Sequence, residues 1–227
     1  MAFHAPRRVL LPYVGLLGAI SVSAGTNHFV VPAFRGQPNS ELGFWERFTV
    51  AYGAPGNTPD QAGSNSGAIV TQVLSPSAFA TGTGNLYDPA APMAFTLQDS
   101  TPFVLGTVVL QIRTLGSELA YDDVRLSYLD GGTPQSLEPL FRQELDRGTV
   151  LGASVSSLWQ WNLQGRGVTD FTLSFGTPDP SLSLDAITVD TWTGFETVPE
   201  PAALGLLVAG GLALTLTRGT SVRRRRG

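Results

Sequence analysis

Phe171-Thr172-Leu173-Ser174-Phe175 alternates apolar and polar residues without a break. Successive side chains of an extended chain point to opposite faces, so this stretch predicts a strand with one buried face. The same period recurs on either side of it. Trp159-Gln160-Trp161-Asn162-Leu163 follows it upstream, and Ile187 and Val189 alternate with Thr188 and Asp190 downstream. Further back, Val124, Leu126 and Tyr128 alternate with Arg125 and Ser127, while Val108, Leu110 and Ile112 oppose Gln111 and Arg113. Turn residues separate these runs at Asp130-Gly131-Gly132, Gly165-Arg166-Gly167 and Gly176-Thr177-Pro178-Asp179-Pro180.

The earlier part is less regular. Phe44 to Tyr52 is aromatic-rich and enters a strand, Gly53 to Gly67 reads as a long loop, and Ile69 to Leu74 and Ala94 to Leu97 read as strands. The one helical signal is a short turn in Pro139 to Arg147. Eight or more short strands predict an all-β, two-sheet sandwich. A jelly roll is the expected form, with an immunoglobulin-like sandwich as its nearest competitor.

The two ends have a different composition. Arg7 and Arg8 precede the apolar run Val9 to Val22, and Val22-Ser23-Ala24 has the small residues of a signal-peptidase site. A signal helix over 1–24 is therefore expected, with cleavage between Ala24 and Gly25 and a β-domain over 25–196. At the other end Val198-Pro199-Glu200-Pro201 leads into Ala202 to Thr217, sixteen residues without a charge. As a helix that run is about 24 Å long, a marginal membrane span unless Arg218 snorkels to the interface. Arg218 and then Arg223, Arg224, Arg225 and Arg226 form a basic stop that favours the cytoplasmic side.

This tail, 197–227, resembles the PEP-CTERM sorting signal of Gram-negative bacteria. The match comprises the motif 198–201, the span 202–217 and the arginines within 218–226, about thirty of 227 residues. The spacer Arg218 to Val222, between the span and the main arginine block, departs slightly from the pattern. The resemblance implies an exosortase-type membrane protease that cleaves near the Pro-Glu-Pro. It also implies a brief stay in the inner membrane, then release to the cell surface or extracellular matrix.

Between the ends, residues 25–196 hold seven arginines and seventeen acidic residues, and the chain has no lysine. Such a domain is not expected to bind nucleic acid or anionic lipid; cations or neutral glycans suit it better. Cysteine is absent, which excludes thiolate catalysis, Cys-type zinc sites and iron–sulfur clusters. After signal cleavage His28 is the sole histidine, and a Ser-His-Asp triad would have to be built on it. Gly63-Ser64-Asn65-Ser66-Gly67 has Asn where a nucleophile elbow needs Ser. Two carboxylates suffice for a glycosidase, and Glu46 beside Trp45 has the most suggestive surroundings; a solvated or ion-paired glutamate is the alternative.

Tyr121-Asp122-Asp123-Val124-Arg125-Leu126 echoes Leu184-Asp185-Ala186-Ile187-Thr188-Val189. In a strand each leading Asp would share a face with the aliphatic residues and would need a partner there. The second copy is similar to the last strand of jelly-roll carbohydrate-binding modules. That resemblance implies calcium, with Asp122 and Asp185 as candidate ligands, against the alternative of carboxylates capping turns at the rim. Trp45 and Trp192 are the candidate glycan-stacking residues, core packing being the alternative for each. The expected function is a non-catalytic surface or matrix protein associated with extracellular polysaccharide. A calcium-stabilised carbohydrate-binding jelly roll and a secreted glycosidase are the alternatives.

Overall fold

A computed structural model describes residues 28–62, 67–149 and 153–195. The signal segment with its Ala24–Gly25 junction, Glu196 and the whole 197–227 tail lie outside the described residues. Among those described, no helix is long and apolar enough to cross a membrane.

The described chain is all-β, apart from one three-residue 3-10 turn, Tyr121–Asp123. The strands are β1 (Ser40–Trp45), β2 (Gln61–Ala62), β3 (Ile69–Gln72), β4 (Phe79–Ala80), β5 (Leu86–Asp88), β6 (Ala94–Ser100) and β7 (Thr107–Gly116). After the turn come β8 (Arg125–Asp130), β9 (Thr133–Leu137), β10 (Phe141–Gly148), β11 (Ala153–Asn162), β12 (Asp170–Gly176) and β13 (Leu182–Trp192). They build two antiparallel sheets. The first runs β10-β11-β7-β13-β1-β2, and β5 also pairs with β13 and carries β4. The second runs β3-β6-β12-β8-β9.

The alternating runs supply the interior. Phe171, Leu173 and Phe175 of β12 are buried with Phe95 and Leu97 of β6, and the Phe95 and Phe175 rings stack at 5.2 Å. From the first sheet come Trp45, Leu110, Ile112, Trp159, Trp161, Leu184, Ile187 and Val189. The buried indoles find acceptors: Trp45 Nε1 donates to the Asn57 carbonyl at 2.9 Å and Trp161 Nε1 to that of Leu137 at 3.2 Å.

Three expectations need correction. Pro139 to Arg147 holds no helical turn: Phe141–Gly148 is a strand paired with β11, with a register shift between Glu144 and Asp146. The strand expected through Phe44 to Tyr52 stops at Trp45, because the Asp60 carboxylate takes the Glu46 and Arg47 N–H groups and turns the chain away. The Gly53–Gly67 loop contains the short strand β2.

The first sheet is covered on its outer face too. Phe34 packs there on Val109 and Leu158, flanked by Val30, Phe141 and Leu145. Gln111, expected on the polar face of its strand, is fully buried beneath this segment. Its side chain accepts the Val30 N–H and donates to the Val30 carbonyl. Arg35 then grips Asp190 of β13 with two nitrogens, Nε at 2.6 Å and a terminal nitrogen at 2.7 Å. Asp190 is wholly buried; burial pushes its carboxyl up and the arginine fork opposes that shift.

Removing one partner of a buried, hydrogen-bonded ion pair strands the other charge, at a cost of about 3–5 kcal/mol. Arg35→Ala is therefore expected to lower the unfolding free energy by about that amount in chemical denaturation, while Arg35→Met with Asp190→Leu recovers most of it. A loss within about 0.5 kcal/mol for the single variant would show that the strap does not depend on this pair.

Candidate functional site

The site arises from a defect in register. Along β13, Leu182 and Leu184 face the interior, and so do Ile187 and Val189. The two pairs are out of phase by one residue. Opposite β7, Leu184 pairs with Thr114 and Ala186 with Arg113, which leaves Asp185 as the extra residue of a bulge. The bulge turns Asp185 outward with Ala186, against the expectation that it shares a face with Ile187 and Val189.

On the outer face Asp185 meets Arg113, with a terminal nitrogen 3.1 Å from Oδ2. Its other oxygen accepts a 2.9 Å hydrogen bond from the Asn85 side-chain amide, which also reaches the Ser183 hydroxyl at 3.2 Å. A groove opens here, with His28, Phe29, Phe44 and Glu46 on its other sides. The His28 Nδ1 lies 2.8 Å from the Asp146 carboxylate, which pins the start of the described chain to β10. Arg113 Nε is buried without a partner among the described residues.

Beside the groove lies an aromatic pair that the sequence did not single out. Phe79 of β4 and Tyr87 of β5 meet edge to face at 5.7 Å, and Phe79 is 47% exposed. Register places them in one row across four strands: Leu115, Ser183, Tyr87, Phe79. Leu115 at the end of that row also lines the groove. These strands are only two and three residues long, too short for a periodic signal. Tyr87 holds its place because Leu86 and Asp88 on either side of it are buried. Asp88 is anchored by the Ser75 and Ser77 hydroxyls and the Ala90 and Ala91 amides. These bonds, Ser75 foremost, hold its carboxyl down at about 2.

The other expected site residues fall elsewhere. Trp45 is fully buried, so its ring is core and not a stacking platform. Trp192 is partly buried, with Phe34 stacked on one side at 5.3 Å and a 7° interplanar angle; a Cβ on Gly194 would strike its ring. Asp122 belongs to the 3-10 turn, not to a strand, and pairs with Arg142 at 2.6 Å with its side chain 96% exposed. The two aspartates thus have different arginine partners and do not share a site. Among the described residues no group of three or more His, Cys, Asp or Glu is placed to hold a metal ion. Glu46 does line the groove, along with Asp185.

A larger hollow on the second sheet is lined by Gln98, Asp99, Ser127, Asp170 and Thr172. Its two aromatic residues, Tyr128 and Phe171, are 7% and 4% exposed, so it offers no open ring.

No family model and no curated protein matches the chain. Among solved structures it is similar to the beta-glucosidase from Kluyveromyces marxianus in complex with glucose, at 14% identity and a TM-score of 0.25. The alignment covers 81% of this chain but 20% of that one. Likeness at that level carries no argument about fold or activity.

The Arg113–Asp185 pair is partly solvated, so its net contribution is expected to be under about 1 kcal/mol. Asp185→Asn keeps an acceptor for Asn85 and should shift the denaturation midpoint only slightly. A loss above about 2 kcal/mol would mark the pair as a structural element instead.

Proposed function

We propose that this protein is exported and held briefly in the inner membrane by its C-terminal tail. An exosortase-type protease then releases it into the surface polysaccharide, where its sandwich binds a neutral glycan chain and does no chemistry on it. The observation that carries the binding reading is the Phe79–Tyr87 pair, set in one cross-strand row with Ser183 and next to Asn85, Asp185 and Arg113. Sugars present an apolar ring face and a rim of hydroxyls. An exposed aromatic edge followed by an amide, a carboxylate and a guanidinium offers matching chemistry to both. The excess of acidic residues in 25–196 favours a neutral polymer over an anionic one.

The strand path supports the jelly-roll form. In the first sheet β1-β13-β7-β11 are successive neighbours, and in the second β6-β12-β8-β9 are. Two interleaved four-strand sets of this kind are what a doubled Greek key produces. The export reading rests on the order of Val198-Pro199-Glu200-Pro201, the uncharged run and Arg223 to Arg226.

Phe79→Ala and Tyr87→Ala are each expected to weaken retention on a neutral polysaccharide about tenfold in affinity electrophoresis. Unchanged migration of both variants would refute this binding face. Turnover of the same polysaccharide, lost in Glu46→Gln, would favour the glycosidase alternative, which the shared groove of Glu46 and Asp185 keeps in view. For sorting, deletion of residues 198–227 should abolish both membrane retention and the size reduction seen in pulse-chase. Normal retention and maturation of the deletion variant would rule the tail out as the sorting signal.

A further inference from the structure

Three polar side chains from three strands turn inward where β1 begins and β13 ends. Glu41 follows the inward set of β1 with Gly43 and Trp45; it is 5% exposed, and neither carboxylate oxygen has a hydrogen-bond partner among the described residues. Thr191 is its register partner on β13, is 1% exposed and faces the same way, and its Oγ1 also has no partner among the described residues. Asp99 comes from the facing sheet, next on the inward side of β6 after Phe95 and Leu97, and is 5% exposed. It accepts a hydrogen bond from the Ser100 amide at 2.9 Å.

No ion pair among the described residues reaches Glu41 or Asp99. Burial, and then the charge of Asp99, pushes the Glu41 carboxyl up to about 7. Burial also pushes Asp99 up to about 6, against the Ser100 amide and with Asp170 adding to the rise. Buried polar groups are normally paired, and buried charges are paired or bind metal. Here a carboxylate and a hydroxyl are register partners on β1 and β13, a second carboxylate lies on the inward side of the facing sheet near enough for its charge to act on the first, and each is more than nine-tenths buried with no counter-charge among the described residues.

We propose that Glu41, Asp99 and Thr191 form a binding site for a hard divalent cation that ties β1 and β13 of the first sheet to β6 of the second. The donor set is all oxygen, as calcium and magnesium require. An opening lined by Asn39, Ser40, Pro102 and Phe103 leads from solvent to Glu41 and provides a path for the ion and its remaining waters. The site is distinct from Asp122 and Asp185, both of which are held by arginines.

The pH dependence has a definite sign. Without cation, both carboxyls have folded-state values above their unfolded ones. Their contribution is therefore most favourable at low pH and is lost as pH rises through about 4 to 7. A cation that binds the ionised pair reverses this loss. In thermal unfolding of the full chain at pH 8, followed by tryptophan fluorescence, millimolar calcium or magnesium should raise Tm by roughly 5 °C. At pH 5, where protons compete, the rise should vanish. Glu41→Gln should unfold at a higher temperature than the metal-free wild type at pH 8 and show no cation response. If that variant does not fold, Asp99→Asn gives the same reading. A Tm unmoved by either cation at pH 8, or a full response retained in the variants, overturns the proposal.

Discussion

The interior takes four aliphatic side chains from β13, and β13 supplies them out of phase. Leu182 and Leu184 precede Ile187 and Val189, and strict alternation would send one pair into solvent. The extra residue at Asp185 resolves the conflict. Much else follows from it. β13 pairs with β7 along its length on one side, while β5 and β1 share the other. The bulge also delivers a carboxylate to the outer face beside Arg113 and Asn85, so the packing requirement of the core creates the polar corner of the candidate site.

A second constraint acts on the opposite surface of the same sheet. Val109 and Leu158 are apolar on a face that would otherwise meet water, and the segment leading into β1 covers them with Phe34. A chain lying across a sheet cannot join its ladder, so side chains must hold it. Gln111 serves its backbone and Arg35 serves Asp190. This explains why a glutamine and an aspartate on strands β7 and β13 are fully buried without disturbing the fold.

The candidate site was legible only in fragments. Glu46 and Asp185 stand out in the sequence as a glutamate beside a tryptophan and an aspartate before an aliphatic run, and both line one groove. Asp122 has the same local pattern as Asp185 but lies in a 3-10 turn, since a six-residue pattern does not determine whether the chain is extended. Phe79, Tyr87 and Asn85 carried no signal because they belong to strands or loops too short to show a period, and Asn85 is placed by Ser183 and Asp185 about a hundred residues away. Trp45 and Trp192 drew attention as large rings, yet exposure depends on neighbours: the core encloses one, and Phe34 covers the other.

By itself the sequence determined the class of structure and excluded whole chemistries. Period-two alternation is a property of the extended backbone, so Phe171 to Phe175 and Trp159 to Asn162 had to be extended, although the second stretch is buried on both faces. A chain without cysteine has no thiolate to offer. The tertiary structure decided which polar residues are paired and which are stranded. Arg35 finds Asp190, and Arg113 finds Asp185, whereas Glu41 and Asp99, on the inward sides of facing sheets, have no ion-pair partner among the described residues. Alternation gives each residue a face but not the residues it meets there, because those contacts depend on register and sheet order, set by pairings among strands far apart in the chain.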